Sequence, residues 1–208
     1  MSGFDFGLRE RPDEIDPETR LKLESRNSID LSEEGMSYLA DHFQVPLRFD
    51  PELLLSLNAI AVREIQPDAG MFRRELILVR DHIPPKAADV PTLIDEMLDH
   101  ANGQIDDFHT AAFILWRVCW IHPFSDGNGR VARMLSYISL SILLREVIDL
   151  GGFFSQIMQR EDEYYAALAD ADKRWAASDQ DYQDPNVVRD MEQLLLDIYA
   201  VLQQHPSG

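Results

Sequence analysis

The chain has 208 residues, of which 45% are hydrophobic, and a formal net charge of −18 at pH 7. This length fits one domain, with or without a helical extension, and so acidic a protein is a poor candidate for binding nucleic acid or an anionic membrane through its overall charge. A single cysteine, Cys119, excludes an internal disulfide and is typical of a small core residue in an intracellular protein.

The amino-terminal residues 1–48 are predicted to form a helical extension. They lack a basic stretch followed by an apolar core, so we expect a cytoplasmic protein without a signal peptide. Two prolines interrupt any early helix, which leaves a short helix near residues 18–25. Ser32 can cap a second helix that carries Glu34 in its first turn.

Residues 49–208 are predicted to form one mainly helical domain. Asp50 and the proline after it favour the start of a helix that runs to about Ile65. Residues 71–80 are rich in branched and aromatic side chains and predict a β-hairpin, the only β candidate. The fold class is therefore all-α with one short hairpin. Further helices are expected over residues 91–101, 107–121, 130–148 and 154–175, with a last one from about residue 184.

The segment from His122 to Arg133 combines a base, a carboxylate, a Gly-Asn-Gly turn and two arginines. The turn leads into an apolar helix, so it presents free backbone N–H groups and the positive end of a helix dipole to an anion. Arg130 and Arg133 lie three residues apart, on one helical face, where both guanidiniums can contact a polyphosphate. The pattern therefore predicts a phosphate site.

Two further side chains of this segment predict chemistry at that site. His122 can accept a proton near neutral pH. Asp126 is the only carboxylate in the segment, and carboxylates beside phosphates commonly bind Mg²⁺. These residues indicate attack by a hydroxyl on a nucleotide phosphate.

The segment resembles the signature of the Fic (filamentation induced by cAMP) family, His-Pro-Phe-x-[Asp/Glu]-Gly-Asn-Gly-Arg-x-x-Arg, at every defined position. The resemblance implies a protein adenylyltransferase (AMPylator) that uses Mg²⁺ and moves AMP from ATP to a Ser, Thr or Tyr hydroxyl of a target protein, with release of pyrophosphate. It implies that His122 is the general base, Asp126 the Mg²⁺ ligand, and Gly127, Asn128 and Gly129 the anion hole, with Arg130 near the β-phosphate and Arg133 at the γ-phosphate.

The resemblance also suggests binding regions outside the signature. Residues 70–83 resemble the family's flap, which clamps the target's backbone; a plain surface hairpin is the alternative. Among the C-terminal helices, 153–203, Tyr164 and Tyr165 resemble the wall beside the adenine and ribose, and core packing is the alternative. The candidate target-binding residues of the flap are Phe72, Arg73, Arg74 and Leu76.

Regulation is less clearly encoded. Many family members are inhibited by a helix with the pattern [Ser/Thr]-x-x-x-Glu-[Gly/Asn], whose glutamate pairs with the second arginine, here Arg133. The nearest match is residues 30–35, which makes Glu34 the candidate, although Asp30 replaces the Ser or Thr. A helix start is the favoured interpretation of Glu34, and then the inhibitor is a separate small antitoxin-like protein or there is none.

Two alternatives to AMP transfer stay open. The same fold can transfer phosphate or another nucleotide monophosphate, and the related Doc-type kinases usually carry a lysine where this chain has Gly129. The other alternative is a module that binds nucleotide or a partner without turnover. The complete set of His122, Asp126 and Arg133 favours an enzyme.

Overall fold

A computed structural model describes residues 15–79, 82–104 and 106–204. Within these ranges the chain is helical and contains no β-strand, in agreement with the all-α class. No helix in the described part is long and apolar enough to cross a membrane. The α-helices are α1 (Pro17–His42), α2 (Pro51–Ala61), α3 (Val90–Asn102), α4 (Asp107–Ile121), α5 (Asn128–Leu144), α6 (Leu150–Gln159), α7 (Glu161–Ala177) and α8 (Arg189–Gln204), with a short 3₁₀ turn at Ala87–Asp89.

Helices α4 and α5 form the centre of the fold. The former has the bounds predicted from the sequence and is buried continuously from Thr110 to Val118. The latter is apolar nearly all round, which is typical of a helix surrounded by others. Helices α3, α7 and α8 pack against α4, whereas α1, α2 and α6 pack against α5. The turn that joins the two central helices carries the signature.

Helix α1 is one continuous helix where the sequence predicted two elements. Asp16 caps it by accepting two backbone N–H groups, at 3.1 and 3.0 Å. Pro17 begins the helix instead of breaking it, because the first turn needs no N–H from this residue. Ser32 lies in mid-helix and donates its hydroxyl to the carbonyl of Ser28 at 2.9 Å. The prediction that a helix starts at Ser32 is therefore wrong.

The strand predicted at 71–80 is not formed in its described part, residues 71–79. Residues 71–79 carry only an isolated antiparallel bridge, between Val79 and His82. The side-chain pattern favours a strand, but a strand also needs a partner to take its backbone hydrogen bonds. Here the N–H of Arg73 donates to the carbonyl of Pro123 at 2.8 Å, within the signature turn. A long-range contact therefore replaces a sheet.

The carboxyl-terminal helices differ from their predicted bounds. Helix α5 ends early because Arg145 adopts a left-handed conformation with φ of 55°. The predicted helix over 154–175 is two helices, α6 and α7, which meet at Arg160. Helix α8 begins at Arg189 rather than near residue 184.

Candidate active site

His122 lies where α4 ends. Its backbone is left-handed, with φ of 50° and ψ of 61°, which is uncommon outside glycine. Its Nδ1 lies 3.2 Å from the carbonyl oxygen of Cys119. Because a carbonyl oxygen only accepts, Nδ1 carries the proton and the lone pair of the neutral ring is on Nε2. Burial lowers the pKa of His122 below its ordinary value, which favours the basic form at neutral pH.

A buried amide holds the signature turn from within. Asn128 Oδ1 accepts the N–H of Phe124 at 2.9 Å, and Asn128 Nδ2 donates to the carbonyl of Phe124 at 2.8 Å. Gly127 has φ of 85°, and a Cβ there would lie 2.9 Å from Cγ1 of Val62. Helix α5 thus begins without a side-chain cap on its first N–H groups, which is the arrangement that binds anions.

Asn58 of α2 supports the same turn from outside. It is 1% exposed; its Nδ2 donates to the carbonyl of Asp126 at 2.9 Å and its Oδ1 accepts the N–H of Gly70 at 3.0 Å. It therefore connects the signature to the start of the flap. Sequence reasoning missed this residue, although a lone amide in the apolar stretch of α2 was an available signal.

Asp126 is held by two arginines. Its Oδ1 accepts the N–H of Gly127 at 2.6 Å and Nη2 of Arg130 at 3.1 Å. Its Oδ2 accepts Nη2 of Arg20 at 2.9 Å. Burial disfavours the ionised form, but Arg130, the Gly127 N–H, Gln66 and Arg20 together hold the pKa of Asp126 below its usual value. Arg20 belongs to α1, and no local pattern in the sequence connects it with the signature.

A magnesium ion would find one protein carboxylate here. The described residues contain no group of three or more His, Cys, Asp or Glu side chains that could hold a metal ion. Mg²⁺ commonly takes one or two carboxylates and completes its shell with phosphate oxygens and water. Asp126 would suit an ion that arrives with a nucleotide, and such an ion would compete with Arg20 and Arg130 for the carboxylate oxygens.

A cavity of about 850 Å³ opens beside His122, within the usual size of a small-molecule site. Gly129 and Arg133 line it with His122, so the structure brings these three predicted residues together. The Arg133 guanidinium lies over the Gly129 backbone, since a Cβ there would be 3.1 Å from Nη1. Asp126 and Arg130 pair with each other and are not part of the cavity wall.

The two predicted tyrosines of α7 line the same cavity. Tyr164 is 4% exposed and its hydroxyl lies 3.4 Å from Sγ of Cys119, so it serves both core packing and the cavity wall. Burial raises its pKa well above the ordinary tyrosine value, which keeps the hydroxyl neutral. Tyr165 is partly buried beside it, with ring centroids 5.4 Å apart.

Three further cavity-lining residues, Trp116, Trp120 and Asp172, were not predicted from the sequence as site residues. Trp116 and Trp120 line the cavity, and Trp175 lies 5.6 and 6.2 Å from their ring centroids, so the three indoles form one cluster. Asp172 also lines the cavity and accepts Nε1 of Trp116 at 2.8 Å. Trp116 and Trp120 lie four residues apart in α4, a spacing that is typical of helix packing and gives no sign of a ligand site.

The four flap candidates divide into two pairs. Phe72 packs on Phe124 with ring centroids 5.7 Å apart, and Arg73 is only 2% exposed. Arg74 and Leu76 are exposed, Leu76 to 66%. The expectation that Arg73 faces a target is wrong for the described conformation, because its guanidinium points into the protein and bonds backbone carbonyls.

Glu34 lies in the middle of α1, not at a helix start. The next residue, Gly35, is buried where α1 crosses α5, and a Cβ at that position would collide with the sulfur of Met134. Met134 directly follows Arg133 in the chain. Glu34 is therefore on the helix that packs beside Arg133, and its inhibitory role stays a prediction.

Comparison with known proteins agrees with this geometry. The Fic/DOC family model matches residues 48–140, a range that includes the whole signature. A "Protein adenylyltransferase Fic" of Drosophila willistoni is 30% identical over 129 residues, which cover 57% of this chain and 26% of that protein. The protein of the same name from Nematostella vectensis is 33% identical over 110 residues, covering 50% and 24%.

Solved structures show the same fold. A Fic domain-containing signaling protein from Bacteroides thetaiotaomicron superposes with a TM-score of 0.66 at 17% identity, over 87% of this chain and 73% of that one. The chain spans about a quarter of the length of the curated relatives it matches. Residues 48–140 therefore match the Fic/DOC family in sequence, and the described chain has the fold of a solved Fic domain-containing protein.

Proposed function

We propose that this protein transfers AMP from ATP to a Ser, Thr or Tyr hydroxyl of a target protein and releases pyrophosphate. The observation that carries the proposal is one cavity that holds both halves of such a site. His122 contributes a basic nitrogen, while Gly129 and Arg133 contribute backbone and guanidinium donors beside it. The curated relatives that bear the name protein adenylyltransferase support the choice of reaction.

In the proposed reaction the target hydroxyl attacks the α-phosphorus. Its proton passes to Nε2 of His122 as the new oxygen–phosphorus bond forms. The bond between the α-phosphorus and the oxygen that bridges to the β-phosphate breaks, and pyrophosphate leaves with that electron pair. The amino end of α5 and Arg133 stabilise the negative charge on the departing phosphates.

The residues around the phosphate site suit a nucleotide that brings its own cation. Asp126 would hold Mg²⁺, which neutralises charge on the phosphates when it is bound. Arg130 donates to the carbonyl of Ala61 at 2.5 Å and to Asp126, so it fixes the start of α5. The target protein is a partner in this proposal. For inhibition, a separate small antitoxin-like protein and the absence of any inhibitor stay alternatives.

Mass spectrometry after incubation with ATP, Mg²⁺ and a cell lysate tests the proposal. We expect AMP on Ser, Thr or Tyr of a target with the wild type, and a loss of roughly 10²-fold or more with His122→Ala. His109→Ala is the matched control, because His109 lies in α4, the helix that ends at His122, and does not line the cavity.

The outcomes separate the alternatives. Added phosphate, or label transferred from γ-labelled instead of α-labelled ATP, would show that the protein transfers phosphate, as the Doc-type kinases do. Nucleotide binding without any modification would indicate the non-catalytic module. Full activity of His122→Ala would remove the role given to His122.

A further inference from the structure

Arg73 is a buried arginine that bonds only to backbone carbonyls in the described structure. It is 2% exposed, although an arginine at the surface could keep its charge in water at no cost. Its donors meet carbonyl oxygens from two distant parts of the chain. They are His122 at 2.7 Å from Nε, Glu75 at 2.9 Å from Nη1, and Pro85 and Ile121 at 2.6 and 3.3 Å from Nη2.

Two of these carbonyls belong to the end of α4. Ile121 is the last residue of α4 and His122 is its C-cap. A helix leaves its last carbonyls without partners in the helix and has the negative end of its dipole there. A planar guanidinium holds its N–H donors in a rigid fork, so it can bond separated oxygens in fixed directions, whereas an ammonium presents its three donors from one point on a flexible stem. Arg73 therefore completes the left-handed turn at His122.

The other two carbonyls belong to the flap and to the segment just after it. Glu75 and Pro85 stand on either side of the exposed Leu76, so one guanidinium ties the two ends of segment 75–85 together. The Arg73 N–H donates to the carbonyl of Pro123 at 2.8 Å. The stack of Phe72 on Phe124 adds a contact next to it. Phe72 and Arg73, which we call the root of the flap, are thus packed and hydrogen-bonded to the start of the signature.

We propose that Arg73 is a positioning residue that fixes the His122 turn and both ends of the segment 75–85 relative to each other. This rests on the proposed function, in which a target strand on the flap must present its hydroxyl to Nε2 of His122. Arg73 does not line the cavity. It therefore affects the position of the target hydroxyl relative to Nε2 of His122, and not the affinity for nucleotide. Its positive charge also contributes to lowering the pKa of His122, after burial and the charge of His82.

Histidine titration by NMR and amide hydrogen exchange on the full chain test this role without a target. The variants are Arg73→Met, Arg73→Lys and, as control, Arg74→Met, which removes the same charge from the exposed neighbour. Arg73→Met is expected to raise the pKa of His122. It should also speed exchange in 71–79 and 121–124 by about tenfold or more, since the loss of even one of its four charge-assisted hydrogen bonds accounts for about that factor.

Arg73→Lys keeps the charge and loses the planar fork. We expect it to leave the His122 titration nearer the wild type while exchange in both segments still rises. Arg74→Met should change neither quantity. Binding of a non-hydrolysable ATP analogue, measured by calorimetry, should stay within about twofold for all three variants, since a change of that size is under 0.5 kcal/mol.

Two results would overturn the positioning role. One is an unchanged His122 titration with faster exchange in the flap alone, which would make Arg73 a flap anchor only. The other is exchange at wild-type rates in both segments of Arg73→Met or, if that variant does not fold, of Arg73→Lys. A wild type that transfers nothing would refute the proposed function and leave this titration interpretable.

Discussion

The signature turn and the root of the flap meet at His122, but they are held in different ways. In the signature, Asn128 bonds both backbone groups of Phe124, four residues away. In the flap, Arg73 bonds carbonyls that lie as far as 49 residues along the chain. The signature therefore takes much of its conformation from its own side chains, with added support from Asn58 and Arg73. The flap depends more on the element against which it packs.

This difference explains why a short sequence pattern can identify one region and not the other. A turn built from its own side chains needs particular residues at particular spacings, and these are visible in the sequence. The flap is held by Arg73, which bonds backbone carbonyls. Because every residue has a backbone carbonyl, these contacts leave no pattern in the sequence. The same difference predicts that substitutions in the signature weaken nucleotide binding, whereas substitutions in the flap reduce only the modification of the target.

The largest effect is expected from Asn128→Ala. The change leaves the buried N–H and carbonyl of Phe124 without partners, which lowers the free energy of unfolding by about 3 kcal/mol and weakens nucleotide binding. Denaturant unfolding and calorimetry with an ATP analogue measure the two effects.

Asn102 offers a matched control because it makes the same pair of bonds to Phe49, at 2.7 and 2.8 Å, away from the cavity. Asn102→Ala should lower stability while the remaining folded protein binds nucleotide normally. Equal loss of nucleotide affinity in both variants would contradict a local role for Asn128.

A smaller effect is expected from Gly127→Ala. At φ of 85° a side chain is strained, and the new Cβ would lie 2.9 Å from Val62 and 3.0 Å from Asn58. We expect a loss of about 1–3 kcal/mol in stability, with a weakened anion site. Thermal unfolding with and without nucleotide measures both.

Gly103→Ala is the control for this substitution. Gly103 has φ of −88°, and a Cβ there would meet carbonyl oxygens at an ordinary 3.5 Å. Stability should be unchanged or slightly higher. If the two alanine variants behave alike, the left-handed turn is not a requirement of the site.

The smallest effect on the fold is expected from Leu76→Ser in the flap. Leu76 is 66% exposed, so stability should change by less than about 0.5 kcal/mol, and nucleotide binding should not change. Modification of the target, followed by mass spectrometry, should fall. Leu21→Ser is a control of similar exposure, 64%, on α1; the same fall in this variant would argue against a target-binding flap.

Much of the helical fold followed from the sequence because its signals are local. The period of apolar residues in α4 and the Asp50 cap of α2 depend on neighbours a few positions away, and both predictions are confirmed. The predicted strand did not form in residues 71–79, where the N–H of Arg73 bonds the carbonyl of Pro123 in the signature turn instead of a neighbouring strand. Sequence spacing does not contain that information.

The candidate site shows the same limit. His122, Gly129 and Arg133 were predicted from their spacing and lie around one cavity. Arg20 and Asp172 were not predicted, because each reaches the site from a helix far away in the chain. Arg73 was predicted to be in the flap, but its orientation depends on carbonyls of α4 that the flap sequence does not specify.

The cluster of Trp116, Trp120 and Trp175 provides an intrinsic fluorescence probe of the site. These are the three tryptophans of the whole chain, two of them line the cavity, and their rings lie within 6.4 Å of one another. Intrinsic fluorescence excited at the indole band therefore originates beside the cavity, without background from other tryptophans. A nucleotide that enters should change this emission, so the unlabelled protein can report its own occupancy.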